Sequence, residues 1–368
     1  MRDLINFAHQ KLKVVIETLD IKINRTPASR LKQTDFDNLA FGRTYSDHMF
    51  LADYEGGEWK NFQIMPFGDL PFSPAMSALH YGQSIFEGIK AYKLKNGDIS
   101  IFRPYKNFER FNLSADRMCM PAIPEDLFMQ GMTQLIELDK QWIPSKEGQS
   151  LYIRPLMFAT EPVLGVHPSE SYKFIILTGP SGVYYSKNLR VKIETYYTRA
   201  AEGGVGFAKT AGNYGRSLYP TREAQKEGFD QLIWTDGREH LYIEESGTMN
   251  VMFMINNVLI TPSTRDTILD GVTRKSILEL ARSWGVQVEE RRVTVKEVVD
   301  AAKSGTLQEA FGVGTAATIA HIVVIGYEGE LFNLPEPASR EFSNKALKGL
   351  NDIRYGNVPD EFGWNYIV

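Results

Sequence analysis

The stretch Gly203-Gly-Val-Gly-Phe-Ala-Lys209-Thr-Ala-Gly-Asn213-Tyr214-Gly215 sets five glycines around one lysine within thirteen residues. Glycine lets backbone approach a ligand closely or adopt positive φ. A lysine presented this way holds a phosphate, serves as a nucleophile, or simply decorates a surface loop, the ordinary home of Gly and Lys. A phosphate-cradling P-loop requires G-x-x-x-x-G-K-[ST] opening directly into a helix. Here Ala208 stands where the second glycine belongs, and Ala211-Gly-Asn-Tyr-Gly215 is poor helix material. A lysine that forms a Schiff base with an aldehyde cofactor or a carbonyl substrate needs a neutral amine, hence desolvation or nearby positive charge. Phe207, Ala208 and Ala211 give Lys209 apolar neighbours. The lysine alone leaves these readings open.

The 368 residues suggest two domains, and 43% hydrophobic against 23% charged residues can bury a large core. A net charge of −4 gives no footing to nucleic acid or to an anionic membrane. Cys119 is the single cysteine, so no intrachain disulfide forms, and the six scattered histidines make no H-x-x-x-H or H-x-H pair. No metal is expected. The opening Met1-Arg-Asp-Leu-Ile-Asn is too soon charged for a signal peptide, and no stretch reaches the ~20 apolar residues of a membrane span. The expectation is a soluble, cytoplasmic protein.

Residues 1–40 read as an irregular arm. Glu55-Gly-Gly-Glu58 and Lys95-Asn-Gly-Asp98 are hairpin tips. Helices are expected over 105–119, from Pro124 to just before Pro144, over 214–227 with Pro220 as a kink or true start, from Val272 to Trp284, after the Thr294-x-x-Glu297 capping box, and over about 338–354. Strand patterns fill most of the rest. Gly179-Pro-Ser-Gly182 is the strongest linker signal. The division is therefore a smaller domain over 1–178, an interdomain loop over 179–189 and a second domain over 190–368, both mixed α/β.

An electron-sink enzyme of the pyridoxal phosphate type needs a phosphate clamp, an isolated carboxylate for the ring nitrogen, and a substrate pocket. Gly271-Val-Thr-Arg274 opens a helix, where free N–H groups favour an anion. Gly312-Val-Gly-Thr315 offers loose backbone and a hydroxyl, and Arg110 sits in a helix with Phe108 and Phe111. Glu244-Glu245 ends an apolar strand before a small-residue turn, and a buried carboxylate there would keep a ring nitrogen charged. Taken singly, each also reads as an ordinary helix start, turn, surface arginine or solvated strand end.

Together they carry a resemblance. Lys209-x-x-Gly-Asn-Tyr214-Gly, Glu245-x-Gly-Thr248-Met-Asn, Gly271-Val-Thr-Arg and Phe311-Gly-x-Gly-Thr315-Ala stand in the order found in branched-chain amino acid aminotransferases, members of the fold-type IV pyridoxal-phosphate enzymes. So do Phe41-Gly-x-x-Tyr-x-Asp-His-Met, His80-Tyr81-Gly-Gln, Phe86-Glu-Gly, Leu151-Tyr-Ile-Arg-Pro and Glu161-Pro-x-Leu-Gly-Val. The chain resembles that family over about residues 41–316.

The resemblance implies a mixed α/β (α+β) fold, with pyridoxal 5'-phosphate between a smaller N-terminal domain and a larger cofactor-binding one. It implies that Lys209 is the Schiff-base lysine and then moves the proton. Glu245, with the right spacing to Thr248, would pair with the ring nitrogen, and Tyr214 with the ring hydroxyl. Arg110, Val272, Thr273 and Thr315 would hold the phosphate, with Leu269 also at the cofactor. Thr315 and Ala316, helped by Tyr81, would take the substrate α-carboxylate. Phe41, Tyr152, Tyr184 and Thr248 would line the side-chain pocket, with Leu164 and Val166 reaching in from the partner of a homodimer. Arg154 would meet the distal carboxylate of glutamate. The implied reaction moves an amino group between leucine, isoleucine or valine and 2-oxoglutarate. A D-amino acid aminotransferase or an aminodeoxychorismate lyase are the alternatives within the fold, and both resemble a shorter chain. Two departures stand out: Asp270 replaces a common proline, and Ala316-Ala-Thr-Ile-Ala320 has no Cys-x-x-Cys pair.

Overall fold

The computed structural model describes residues 18–182 and 187–368. The first sheet draws on β1 (Lys22–Ile23), β2 (His48–Glu55), β3 (Glu58–Pro66), β4 (Ser84–Phe86), β5 (Ile89–Lys93), β6 (Ile99–Phe102), β7 (Ser150–Ala159) and β8 (Tyr172–Ser181). The second holds β9 (Leu189–Ile193), β10 (Gln231–Thr235), β11 (Tyr242–Ser246), β12 (Met249–Ile255), β13 (Val258–Pro262), β14 (Val288–Arg291), β15 (Val293–Thr294), β16 (Leu307–Gly314), β17 (Thr318–Tyr327) and β18 (Glu330–Asn333). A last strand, β19 (Asn365–Ile367), pairs with β6, so the end of the chain returns to the first sheet. Both sheets are largely antiparallel, with parallel pairs at β1–β3, β9–β10, β9–β17 and β13–β14.

The helices are α1 (Ser77–Tyr81), α2 (Pro104–Arg117), α3 (Glu125–Leu138), α4 (Ala211–Gly215), α5 (Leu218–Lys226), α6 (Val272–Ser283), α7 (Val295–Ser304) and α8 (Phe342–Arg354). Phe111, Phe128, Leu135 and Ile136 of α2 and α3 are buried with Phe50, Ile153 and Phe174 of the first sheet. Burying side chains of this size contributes about 1.5–3 kcal/mol each. On the second sheet, Ile277 and Leu350 of α6 and α8 join Phe311 and Val313, while Val298 of α7 packs with Ala310. Ala310 and its neighbours Phe311 and Val313 on β16 therefore feed opposite cores, as strand alternation requires.

Local chemistry sets several boundaries. Gly56 and Gly57 take φ of 66° and 87°, closing the β2–β3 hairpin in a conformation that L side chains resist. The side chain of Thr294 accepts the Glu297 N–H at 3.0 Å and starts α7 as its capping box requires. The helix expected to run up to Pro144 stops at Leu138 and tightens into a 3₁₀ turn over Lys140–Trp142. There the buried Asp139 is taken by His48, whose N–H and ring Nδ1 meet its two oxygens at 2.9 and 2.7 Å. The helix expected over 214–227 is two helices, and Pro220 falls in the first turn of α5, where no N–H is required. The start of the loop expected at 179–189 is strand instead. Gly179, Pro180 and Ser181 remain extended and lie opposite Tyr152, Leu151 and Ser150. Cys119 is exposed just beyond α2.

Candidate active site

Between the sheets lies a cavity of about 430 Å³. Its centre is Lys209, and three hydrogen bonds tie the lysine's loop to the first half of the chain. The Lys209 N–H donates to Ser114 Oγ at 2.9 Å, its carbonyl accepts from Phe86 N at 3.0 Å, and Thr210 Oγ1 donates to Ser84 O at 2.8 Å. Asn213 folds the loop on itself by donating to Val205 O and Ala208 O, both at 2.8 Å. Ala211–Gly215 then forms one short helix turn despite its glycines, which brings Tyr214 back under the lysine. Lys209 Nζ donates to the Tyr214 hydroxyl at 2.7 Å and rides over the Phe86 ring at 4.9 Å.

Across the cavity stands Glu245, 3% exposed. Its Oε1 accepts the Leu269 N–H at 2.8 Å and Asn250 Nδ2 at 3.5 Å. Its Oε2 lies 3.3 Å from Arg199 Nε, close enough for an ion pair but misaligned for a hydrogen bond. Burial pushes the Glu245 carboxyl above its ordinary range, and Arg199 and the Leu269 N–H oppose that push. Glu244 precedes it on β11 and does not line this cavity.

Arg110 is buried rather than on the surface. Its Nε and Nη2 donate to the two oxygens of Glu87 at 2.7 and 2.8 Å, and its Nη1 donates to Asp270 O at 2.9 Å. Three of its five N–H donors are thereby spent and two remain. Burial alone would raise Glu87; the Arg110 charge and hydrogen bonds, with Asn107 Nδ2 at 2.8 Å, hold it below the usual carboxylate range. Asp270 acts through its carbonyl, while its carboxylate pairs with Lys275. Gly271 caps α6 with an extended backbone, and Val272 and Thr273 open the helix toward the cavity. A Cβ at Gly271 would meet Asn250 Oδ1 at 2.0 Å, so this close approach excludes any side chain. Arg274 turns away to Pro262 O and Glu290.

The remaining wall is aromatic. Phe41 meets Tyr152 edge-on at 4.8 Å, and Arg154 donates to the Tyr152 hydroxyl at 2.9 Å while lying over Phe86 at 4.6 Å. Thr248, Leu269, Thr315 and Ala316 complete the lining. The Ala316 carbonyl accepts from Lys90 Nζ at 2.9 Å. Burial, with Arg354 nearby, pushes the Lys90 ammonium down to about 7.

The structure thus gathers Lys209, Tyr214, Glu245, Arg110, Leu269, Val272, Thr273, Thr315, Ala316, Thr248, Phe41, Tyr152 and Arg154 around one space. It does not bring Tyr81 there. That residue ends α1 and is 45% exposed, held away by the Gly82 turn with its φ of 67°. Leu164 and Val166 are 66% and 87% exposed and likewise outside the cavity of their own chain. Tyr184 lies outside the described residues. Sequence reading missed Glu87 and Arg199, which ionise and orient the groups that face the cavity. No local pattern joins either to its partner, although Glu87 stood in a quoted motif.

Comparison with known proteins gives the family. Residues 84–325 match the amino-transferase class IV family. The chain belongs to the class IV aminotransferases. It is 43% identical over 348 residues to branched-chain-amino-acid aminotransferase 2 of Bacillus subtilis, covering 94% of this chain and 96% of that one. It is 44% identical over 342 residues to a probable branched-chain-amino-acid aminotransferase of Staphylococcus aureus, covering 92% and 95%. The crystal structure of the Escherichia coli branched-chain amino acid aminotransferase superposes with a TM-score of 0.71 at 26% identity, over 87% of this chain and 98% of that one. The fold is that of the fold-type IV enzymes.

Class IV aminotransferases depend on pyridoxal 5'-phosphate, and the residues of this class IV chain fit it. There is an amine for the aldehyde and a buried carboxylate, Glu245, for the ring nitrogen. For the phosphate there is a helix start too tight for a side chain, with two unspent Arg110 donors beside it. Among the described residues no group of His, Cys, Asp and Glu could hold a metal ion.

Proposed function

We propose that this chain is a branched-chain amino acid transaminase. It moves the amino group of L-leucine, L-isoleucine or L-valine to 2-oxoglutarate in a ping-pong cycle that yields branched 2-oxo acids and L-glutamate. One observation carries this reading: Lys209, hydrogen-bonded to Tyr214, faces the buried Glu245 in a cavity whose outer wall is aromatic and holds a single arginine. Bound there, pyridoxal phosphate supplies a carbonyl for the amino group and a ring that spreads the charge left at Cα.

The chain's own residues do the rest. Lys209 Nζ takes the Cα proton and returns it, and the Tyr214 hydroxyl fixes where Nζ points. Glu245, whose charged form Arg199 favours against its burial, holds a proton on the ring nitrogen. The α6 N-terminus, Thr273, Thr315 and the free Arg110 donors hold the phosphate. The turn at Thr315–Ala316, braced by Lys90, receives the substrate α-carboxylate. Phe41, Tyr152 and Phe86 bury the aliphatic side chain, which favours it by roughly 1.5–3 kcal/mol. Arg154, at the edge of that wall, pairs with the distal carboxylate of glutamate. One pocket thereby serves both half-reactions.

The working form in this reading is a cytoplasmic homodimer. Leu164 and Val166 stand exposed on one loop, and their apolar side chains supply the second copy's pocket. Among the described residues no helix is long and apolar enough to cross a membrane. The test is the absorption spectrum of wild type beside Lys209→Ala. L-leucine should bleach the visible cofactor band of the wild type, 2-oxoglutarate should restore it, and the variant should do neither. Activity with D-alanine but not L-leucine would overturn the assignment.

A further inference from the structure

A second cavity of about 330 Å³ opens behind the first. Glu244 and Glu245 are consecutive on β11, so their side chains leave opposite faces of the strand. Glu245 lines the cofactor cavity and Glu244 lines this one. Glu244 is 5% exposed, and its Oε2 has no hydrogen-bond partner among the described residues. Buried polar atoms are almost always paired, and an unpaired one is costly. Burial pushes the Glu244 carboxyl up to about 7, and the Thr267 hydroxyl and Arg199 only partly oppose it.

The other walls have different chemistry. Arg265 and Arg238 line the cavity and form no ion pair among the described residues. Arg292 lies over the Tyr242 ring at 4.7 Å and reaches Glu202 only at 3.6 Å. Pro262 and Ile268 are apolar and buried. Asp236 also lines the space but is consumed by its own loop, accepting N–H groups from Arg238, Glu239, Leu241 and Tyr242. Glu202 and Glu239 line the space as well. A buried acceptor, free guanidinium groups and apolar residues in one cavity recognise a small molecule with an ammonium at one end and an anion at the other.

We propose that this cavity is a second binding site, for a free α-amino acid as its zwitterion. The ammonium donates to Glu244, the carboxylate meets Arg265, and the side chain lies against Tyr242 and Ile268. The site adjoins the cofactor cavity through Arg199, which donates to the carbonyl of Thr267, a residue of this second wall, and pairs with Glu245. A ligand here and a ligand at the cofactor therefore act on the same guanidinium, and any coupling between them is reciprocal.

The test is equilibrium binding of radiolabelled α-methyl-L-leucine to the holoenzyme. This probe is a zwitterion with no Cα proton, so it cannot be turned over. Saturating 4-methylvaleric acid, which lacks the amine, is added to block the first cavity. A solved branched-chain amino acid aminotransferase is complexed with that acid. One site per chain should remain, weakened at least tenfold in both Glu244→Gln and Arg265→Ser. No residual binding in wild type, or binding unchanged in both variants, would overturn the proposal. Loss in Glu244→Gln with full retention in Arg265→Ser would replace the zwitterion by a bare amine and overturn it too. If 4-methylvaleric acid displaces no probe at all, the transaminase reading fails, and binding that still falls at least tenfold in both variants locates the second site on its own.

Discussion

Replacing Arg199 by methionine removes the cation from Glu245 while keeping a long, apolar stem in its place. At the observed 3.3 Å, and with an effective dielectric of about 20, the pair's attraction is about 5 kcal/mol. Breaking a buried pair by deleting one partner costs about 3–5 kcal/mol in practice. The same change frees the carbonyls of Gly206 and Thr267, which adds about 1–3 kcal/mol for each that stays dry. These losses differ in their dependence on pH. Burial already holds the Glu245 carboxyl above its unfolded range, and without Arg199 it rises further. A folded-state value above the unfolded one means that the folded protein takes up the proton first as pH falls. The electrostatic part of the loss is therefore full at alkaline pH and relieved on acidification, whereas the carbonyl part is constant. Urea unfolding of the cofactor-free variant and wild type at about pH 8 and about pH 5, with matched m-values, should show the gap narrow by roughly 2–3 kcal/mol at the lower pH. Arg199→Lys, which restores the charge, should recover part of the alkaline loss. A gap that is constant, or that widens on acidification, would refute the pairing of Arg199 with Glu245 as the charge that opposes its burial.

Glu87→Gln leaves Arg110 buried without its carboxylate; it should lower unfolding free energy by about 3–5 kcal/mol and weaken cofactor retention on dialysis. Arg154→Met should raise KM for glutamate and 2-oxoglutarate roughly 10–100-fold while KM for leucine moves less than threefold, as steady-state kinetics with each substrate pair would read. Gly271→Ala drives a Cβ into Asn250; the helix should persist by circular dichroism while cofactor affinity drops at least tenfold in a fluorescence titration.

Much of the fold was legible where one residue type dictates one backbone conformation. Gly56-Gly57 and Thr294 to Glu297 are such places, and the hairpin and the helix start fall where they were expected. The Lys209 loop was less legible: Ala211–Gly215, poor helix material by sequence, forms a helix turn, and the loop is anchored by Ser84, Phe86 and Ser114 of the first half. Sequence signals failed where a distant partner outweighed a local preference. Gly179-Pro180 looks like a turn yet lies opposite β7, and α3 ends at Asp139, whose carboxylate is taken by His48, 91 residues away in sequence. Within the site, the residues facing the cavity carried recognisable spacing, while their counter-ions did not. Arg110 and Glu87 are 23 positions apart, so only the folded chain reveals that they pair. Tyr81, at the end of α1, lies outside the cavity of its own chain.

The three hydrogen bonds that fasten the Lys209 loop to Ser84, Phe86 and Ser114 have a consequence for how such a chain can be rearranged. By position the lysine belongs to the second half, but its coordinates are dictated by the first. The two halves are therefore not interchangeable cassettes. A chimera could keep every residue of the lysine loop and still misplace the amine, because a one-residue slip of β4 would carry Phe86 N off the Lys209 carbonyl and turn its neighbours to the wrong face. Recombination between relatives is safest where it leaves β4, the Ser114 helix and the lysine loop to be inherited as one block.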